Sequence, residues 1–333
     1  MKARIKAISY YLPKKVVTNK DLIKEFPEWT VEKITSKIGI EERRIAAKNE
    51  TAGDMAESAA HKLFEEYNIN PQNIDFIILC TQSPDYHLPP TSCLLQHKLG
   101  LTEKCGALDI DLGCSGYVYG LSLCKGLISA NIATNILFLT AESYNKYIHS
   151  KDKGNRSIFG DAATATLIST EGSCKIGEFV LGTDGSRYNQ LIVESGGARI
   201  PDKKNDFGRD SGDYIKSADY LYMSGPDIFN FTLDTVPPLV TEVLEKNNTD
   251  KEEISLYVFH QANKFILSTI RKICKINKDK FYINMTKTGN TVSCSIPIAL
   301  KNAIDEKKIT SGSSVLITGF GVGLSWGGTI LKF

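Results

Sequence analysis

The feature that most constrains the fold is an internal repeat with a period of roughly 150 residues. Three segments of the first half recur in pattern and order in the second: 74–83 matches 254–263, 108–128 matches 281–304, and 136–169 matches 315–333. In each pair an apolar, strand-like run ends in small or polar residues, and the first two pairs then continue into a helix-like run. The sequence therefore predicts two halves of similar topology, residues 1–172 and 173–333, and not a solenoid.

Strand-like and helix-like segments alternate along both halves, which is typical of an α/β protein with a mainly parallel sheet. Residues 223–245 have helical spacing, but Pro237 and Pro238 predict a break in that helix. The polar stretch 198–220 is predicted to be a surface excursion near the active site.

Composition excludes several classes of function. The chain has 40 basic and 38 acidic residues, a net charge of +2, so no bulk signal indicates nucleic acid. Its apolar runs are too short to cross a bilayer, and its N-terminus is predicted to be a first strand, not a signal peptide. The eight cysteines form no CxxC pair, which makes a metal site or a redox motif a weak interpretation and favours reduced thiols in the cytoplasm.

A strand–corner–helix segment carries the first candidate for chemistry. Residues 108–112 alternate in polarity as a strand does, residues 113–116 are small, and residues 118–128 have helical spacing. Cys114 therefore lies where a strand turns into a helix, and the free N–H groups and positive end of that helix favour a thiolate. A small buried cysteine is the structural alternative.

Three further features fall at equivalent strand ends of the second half. Asn290 occupies the corner that matches Cys114, and His260 follows the strand that matches the one ending at Cys80. Residues 319–323 form a glycine-rich turn whose backbone N–H groups can face an oxyanion. Each feature alone has a structural explanation, but together they indicate one site beyond the carboxyl ends of the strands.

At this point the chain resembles the β-ketoacyl-acyl carrier protein synthase III family of the thiolase superfamily, over almost its whole length. The matching segments are GIEERRIAA (39–47), LGCSGYVYGL (112–121), FGDAA (159–163), LGTDGS (181–186), HQAN (260–263), TGNTVSCSIPIAL (288–300) and GFGVGLSWGG (319–328). The resemblance implies a thiolase-like duplicated α/β fold, layered α-β-α-β-α, a homodimer, and chemistry that needs no metal or redox cofactor.

The resemblance also implies a role for each matched residue. Cys114 takes the acyl group as a thioester, and His260 and Asn290 hold the carbonyl of a malonyl thioester while CO2 leaves. The backbone N–H groups of Cys114 and Val322 form a second oxyanion hole. Glycine often stands in the family where this chain has Val322, so the N–H is kept but the pocket narrows. The implied reaction is a decarboxylative Claisen condensation that gives β-ketoacyl-acyl carrier protein.

Two related enzyme classes are disfavoured by single residues. A biosynthetic thiolase uses a second cysteine at the corner that holds Asn290. Hydroxymethylglutaryl-CoA synthase uses a glutamate where this chain has Gln82, which cannot act as an acid.

The resemblance is weakest where coenzyme A binds. The family commonly stacks the adenine between a tryptophan and an arginine, and those places hold Lys33 and Lys153, with Trp29 four positions early. Lys37 keeps one cation at the phosphate end. Ordinary surface lysines are the structural alternative for Lys33 and Lys153.

Three more residues are predicted to contact substrate. Asn263 belongs to the HQAN segment, and Phe265 stands where an arginine often follows it. Leu88 aligns with a position that limits acyl chain length, and in a homodimer its loop would enter the acyl pocket of the partner.

The predicted substrates are an acyl-CoA or acyl-carrier thioester together with malonyl-acyl carrier protein. An alternative keeps the acyl-cysteine but passes the acyl group to an amine or hydroxyl of a sugar or secondary metabolite. A non-catalytic acyl-binding protein is a third interpretation, which intact Cys114, His260 and Asn290 disfavour.

Overall fold

The structure is a computed structural model that describes residues 2–205, 209–210 and 215–333. Its strands are β1 (Arg4–Tyr11), β2 (Lys15–Thr18), β3 (Glu42–Ile45), β4 (Phe76–Cys80), β5 (Gly106–Ile110), β6 (Asn135–Glu142), β7 (Ala162–Ser169), β8 (Cys174–Ile176), β9 (Val180–Thr183), β10 (Leu191–Ile192), β11 (Arg209–Asp210), β12 (Ile215–Lys216), β13 (Tyr222–Met223), β14 (Leu256–Phe259), β15 (Ser314–Gly321) and β16 (Ser325–Lys332).

Its α-helices are α1 (Asn19–Glu25), α2 (Val31–Ile38), α3 (Ala52–Tyr67), α4 (Thr91–Lys98), α5 (Gly116–Ser129), α6 (Lys153–Ile158), α7 (Gly225–Lys246), α8 (Lys264–Ile273) and α9 (Ser295–Asp305). In the part of the chain that the structure describes, no helix is long and apolar enough to span a membrane.

The main strands form a mixed sheet in the order β14-β15-β16-β8-β1-β7-β6-β4-β5, with β9 added beside β16. β4 runs parallel to both β5 and β6, and β14 runs parallel to β15. The pairs β6–β7 and β15–β16 are antiparallel. The sheet is thus mixed, where the sequence predicted a mainly parallel one, because β7 and β16 return antiparallel beside β6 and β15.

Helices lie in three layers around these strands. α3 and α4 pack on the strands of the first half, and α7 packs on β15 and β16 of the second. α5 and α9 lie between, since α5 contacts β4 and β6 as well as β15, and α9 contacts both β1 and β14. This confirms the predicted α/β class with α-β-α-β-α layering.

The two halves repeat a common order of pairing. β5-β4-β6-β7 in the first half corresponds to β14-β15-β16 in the second, where Phe281 makes a parallel bridge to Tyr257 in place of a fourth strand. The division at residue 172 stays a prediction.

One expectation about the helices is wrong. α7 runs through Pro237 and Pro238 without a break. A proline inside a helix typically costs about 3 kcal/mol. Here the helix buries an apolar face against the sheet, and such packing supplies most of the stability of a helix in a protein. That face consists of Phe231, Val236, Leu239, Val240 and Val243. The predicted excursion at 198–220 lies partly outside the described residues.

Candidate active site

Three chain segments meet at the carboxyl ends of the strands. Cys114 lies between β5 and α5, His260 directly follows β14, and Asn290 lies in the corner before α9. All three line one cavity of about 400 Å³, which we call the tunnel cavity. The structure therefore brings together the three residues that the sequence predicted to be catalytic.

The thiol of Cys114 is enclosed by the glycine-rich turn. A side chain on Gly321 would place its Cβ 2.8 Å from the Cys114 sulfur, and the φ of Gly321 is +156°. The backbone N–H groups of Val322 and of Cys114 itself both approach the sulfur and lower its pKa, but burial outweighs them and raises the pKa of Cys114 to about 12. The two N–H groups predicted to form an oxyanion hole thus converge on the nucleophile.

His260 is a buried, neutral imidazole. Burial lowers its pKa to about 3, although the carbonyl of Val292 acts in the opposite direction. Its Nδ1 lies 2.8 Å from Oγ of Ser295, and that oxygen accepts a hydrogen bond of 3.3 Å from the backbone N–H of Gln261. We assign the imidazole proton to Nε2, the tautomer in which the hydroxyl of Ser295 accepts from Gln261 and donates its own proton to Nδ1.

The amide of Asn290 is oriented by its own corner. Its Oδ1 accepts a hydrogen bond of 2.9 Å from the backbone N–H of Val292, so Nδ2 is turned toward His260 and lies 3.5 Å from Nε2. The backbone of Asn290 is held by Ile158 and Gly160, whose groups bond to its N–H and C=O. Two N–H donors, one on each side chain, are therefore fixed side by side in the tunnel cavity.

A second cavity of about 220 Å³ continues the tunnel cavity to the surface, and we call it the entrance cavity. Lys37, Asn263 and Phe265 line both cavities, and Lys33 lies at the entrance. Trp29 also lines the entrance, but it is only 8% exposed and the ammonium of Lys33 lies 5.8 Å from its ring. The aromatic face is thus covered.

Two of the predicted substrate residues lie outside these cavities. Lys153 forms an ion pair of 2.6 Å with Glu28 beside the entrance and is absent from the cavity lining. Leu88 is 82% exposed and lines neither of these two cavities. Its predicted contact with a partner subunit stays a prediction.

Sequence reasoning missed two residues near the site. Ser295 positions His260, as described above. Glu142 is fully buried behind the site and accepts hydrogen bonds from Ser293 Oγ, Ser83 Oγ and the backbone N–H of Gln82. Burial raises its pKa to about 8. The signal available in the sequence was an acid at the end of the apolar run ILFLTAE. In the described part of the chain, no group of three or more His, Cys, Asp or Glu residues is arranged to hold a metal ion.

Comparison with known proteins agrees with this geometry. Residues 108–185 match the 3-oxoacyl-[acyl-carrier-protein] synthase III family, and residues 244–333 match its C-terminal part. The β-ketoacyl-[acyl-carrier-protein] synthase III of Caldanaerobacter subterraneus is 35% identical over 97% of this chain and 95% of that protein. The enzyme of the same name from Clostridium perfringens is 36% identical over 99% of each chain.

The chain belongs to the β-ketoacyl-acyl carrier protein synthase III family.

Solved structures support the same assignment. A 3-oxoacyl-(acyl-carrier-protein) synthase III is 44% identical, with a TM-score of 0.97 over 100% of both chains. The synthase III of Aquifex aeolicus is 34% identical, with a TM-score of 0.87 over 99% of this chain and 100% of that one. The predicted family, thiolase-like fold and enzyme class, a condensing acyltransferase, are confirmed.

Proposed function

We propose that this synthase III carries an acyl group on Cys114 and condenses it with malonyl-acyl carrier protein to give β-ketoacyl-acyl carrier protein. In the first half-reaction the sulfur of Cys114 attacks an acyl thioester. The new C–S bond to Cys114 forms, the old C–S bond breaks, and the proton of the thiol leaves with the departing thiol. The N–H groups of Cys114 and Val322 stabilise the oxyanion that forms on the way.

In the second half-reaction a malonyl thioester loses CO2, and the electron pair of the broken C–C bond forms an enolate. Its oxygen accepts hydrogen bonds from Nε2 of His260 and Nδ2 of Asn290. The carbanion attacks the acyl carbonyl, the C–S bond to Cys114 breaks as the β-ketoacyl product leaves, and the released thiolate takes a proton from water. A neutral imidazole suits this role, because a fixed N–H donor at that position needs no change of protonation.

The observation that carries the proposal is the convergence of Cys114, His260 and Asn290 in one buried cavity. Single-turnover measurements separate their roles. Cys114→Ala abolishes the acyl-enzyme. His260→Ala and Asn290→Ala are still acylated but decarboxylate malonyl-carrier protein about a hundredfold or more slower, because each removes one donor to the enolate. If His260→Ala blocks acylation as completely as Cys114→Ala, His260 is the base of the thiol and this division of roles is wrong.

The alternative acceptor, an amine or hydroxyl, is not favoured. The relatives that cover the whole chain carry the name of the condensing enzyme. With an amine or hydroxyl acceptor, no enolate forms for the paired donors of His260 and Asn290 to stabilise. Release of CO2 from malonyl-carrier protein distinguishes the two reactions.

In this proposal the enzyme accepts its acyl group more readily from a carrier protein than from coenzyme A. The face of Trp29 is covered by Lys33, so an adenine ring has no open aromatic surface there. Lys33 and Lys37 remain exposed at the entrance, where their charges attract phosphate or an acidic protein. Lys153 contributes less than its sequence position suggested, because Glu28 neutralises it.

Acylation of Cys114 from matched acyl-CoA and acyl-carrier thioesters, across a salt series, tests the donor. We expect the carrier rate to exceed the CoA rate at low salt, and to fall with added salt and in Lys33→Glu, because the encounter is electrostatic. Lys307→Glu, an exposed change after α9, is the control and keeps the wild-type rate. A tenfold advantage of acetyl-CoA, with a carrier rate that Lys33→Glu does not change, would refute the carrier preference alone.

A homodimer in the cytoplasm completes the proposal. β5 is an edge strand of the sheet, and Leu108 on it is 42% exposed. Leu88 and Tyr86, in the loop after β4, are 82% and 60% exposed. An unpaired edge beside exposed apolar side chains favours pairing with a second copy. All eight cysteines are free thiols, which supports a reducing compartment.

A further inference from the structure

A third cavity, of about 630 Å³, lies beside the site and has a polar wall, and we call it the polar cavity. Gln82, Asp111 and Tyr144 contribute that wall. Leu191 lines both the polar cavity and the tunnel cavity, so the two meet there. Val322, whose N–H approaches the sulfur of Cys114, also lines the polar cavity. Through Val322 and Leu191 the polar cavity therefore begins directly beside the nucleophile.

The polar groups reach the backbone immediately before the nucleophile. A Cβ placed on Gly113 would lie 2.6 Å from Oε1 of Gln82 and 3.2 Å from the hydroxyl of Tyr144. Cγ1 of Val322 would lie at 2.6 Å on the other side. Two polar side chains and one apolar methyl group therefore pack against the residue that directly precedes the nucleophile.

These side chains form a directed chain of hydrogen bonds. The hydroxyl of Tyr144 donates to Oε1 of Gln82, and Nε2 of Gln82 donates to Oδ1 of Asp111 at 3.2 Å. The hydroxyl of Tyr147 donates to the backbone carbonyl of Gln82 at 3.2 Å and holds that residue in place. Tyr144 is 3% exposed, so its oxygen is largely removed from water.

The hydrogen-bonding groups of Gln82, Asp111 and Tyr144 that remain free consist mainly of acceptors. The hydroxyl of Tyr144 donates its only proton to Gln82, so its oxygen can only accept further hydrogen bonds. The carboxylate of Asp111 likewise offers acceptors alone. The lining holds two lysines: Lys146 donates to the backbone carbonyl of Glu50, and the charge of Lys203 acts on Asp219, whose pKa it helps to lower. A substituent that donates a hydrogen bond is therefore matched. An alkyl chain covers the exposed carboxylate of Asp111 without replacing its bonds to water, and a carboxylate is repelled by Asp111.

The geometry points to a short acyl group that carries a hydroxyl as the primer of this enzyme, with Gln82, Asp111 and Tyr144 as the residues that recognise the hydroxyl. This assignment rests on the proposed function, since it needs an acyl group on Cys114. It names the substrate class of that site from the polarity of its second cavity.

The test compares matched four-carbon thioesters on one carrier: butyryl, 3-hydroxybutyryl and succinyl, with acetyl as the reference. Acylation of Cys114 in the full chain is followed by mass spectrometry. We expect 3-hydroxybutyryl to react about tenfold or more faster than butyryl, because a site built for a hydroxyl discriminates strongly against the analogue without one. Succinyl reacts slowest.

Variants tie the preference to the residues. Gln82→Leu and Tyr144→Phe bring the ratio of hydroxybutyryl to butyryl rates close to one, and each is checked for folding by its melting temperature. Tyr119→Phe, whose hydroxyl bonds to Gly182 outside the polar cavity, keeps the wild-type ratio and serves as the control.

Two outcomes overturn the inference. One is a butyryl rate equal to or above the hydroxybutyryl rate in the wild type. The other is a hydroxybutyryl preference that both variants retain. If no thioester of the series, acetyl included, acylates Cys114, the proposed function itself fails, whereas acylation by acetyl and butyryl with no hydroxyl preference refutes the primer assignment alone.

Discussion

Burial determines the protonation of the nucleophile and of its partner residue. It raises the pKa of Cys114 to about 12 and lowers that of His260 to about 3, so both are neutral in the free enzyme near neutral pH. The sequence predicted that a helix N-terminus favours a thiolate at Cys114. Two N–H groups do lower the pKa of Cys114, but desolvation raises it by more than they lower it. Burial of the thiol therefore favours its neutral form, and the two N–H groups favour the thiolate.

Ser295 offers a test of the imidazole's role, because it fixes the tautomer without touching substrate. Ser295→Ala removes the proton directed at Nδ1, so the fraction of imidazole with Nε2–H falls. A lost hydrogen bond of this kind is worth about 1 kcal/mol. We expect malonyl decarboxylation to slow about threefold to tenfold while acylation of Cys114 keeps its wild-type rate, both measured in single turnovers.

The conservative variant Ser295→Thr keeps the hydroxyl and restores most of the decarboxylation rate, whereas a purely packing role would make threonine as harmful as alanine. Ser36→Ala, on the exposed face of α2, controls for the substitution itself. Equal losses in both half-reactions of Ser295→Ala would contradict the positioning role.

The catalytic candidates were predictable from sequence for a physical reason that does not extend to their supports. Cys114 and His260 each follow a strand, Asn290 follows the strand-like run that begins at Phe281, and all three precede a helix, which is a local pattern. Ser295 and Glu142 act across 35 and 151 positions of the chain, on His260 and Ser293 respectively. Contacts of that separation leave no periodic trace, so only the folded chain reveals them.

At the scale of elements, Glu142 connects three segments that carry the site. It lies at the end of β6 and accepts from Gln82 and Ser83, after β4, and from Ser293, in the corner before α9. Its burial raises its pKa to about 8, so it is mostly protonated at neutral pH. A charge on Glu142 would raise the pKa of Cys114 further, which makes the neutral acid the compatible state.

The raised pKa of Glu142 predicts how stability varies with pH. Its ordinary value is 4.5, so between about 4.5 and 8 the folded chain holds a proton that the unfolded chain has lost. The free energy of unfolding therefore falls as pH rises through this window. The stability linked to the proton on Glu142 is fully present only below the window. Glu142→Gln has no such loss, so its melting temperature improves relative to wild type from pH 4.5 to 8 and the difference is constant above.

Glu178→Gln is the matched control with the opposite sign. Glu178 is exposed and pairs with Lys125, which lowers its pKa. The small contribution of this pair to stability is present above the ordinary pKa of Glu178 and lost as pH falls. The melting temperature of the glutamine variant therefore lies furthest below that of wild type at high pH. A difference between wild type and Glu142→Gln that does not change with pH would show that Glu142 is ionised in the fold.

The helix elements show where sequence patterns mislead. Two adjacent prolines predicted a break in α7, and locally that is the correct expectation. The helix continues because its apolar face packs on β15 and β16, and this packing involves residues about 80 positions away, beyond the reach of a local rule.

At the scale of the whole molecule, the sheet ends in an unpaired strand. β5 pairs with β4 on one side only, and within the described residues no strand pairs with its other side. Leu108 on this edge and Leu88 in the nearby loop are both exposed. The two leucines make separate predictions, because Leu108 belongs to the edge itself and Leu88 to the loop that we propose reaches the acyl pocket of the partner.

Leu108→Lys places a charge on the edge strand, and we expect it to convert the proposed dimer into a monomer at micromolar concentration, as measured by sedimentation equilibrium. The reason is that a desolvated lysine opposes pairing of two copies. Ile273→Lys, at the end of α8, also adds a lysine at a half-exposed apolar position and leaves the dimer intact.

Leu88→Ala keeps the dimer but lets longer acyl chains onto Cys114, because it shortens the side chain that would close the partner's pocket. If the wild type is a stable monomer, or if Leu88→Ala keeps the wild-type chain-length profile in a dimer, the loop does not complete the neighbouring site and each subunit determines acyl length alone.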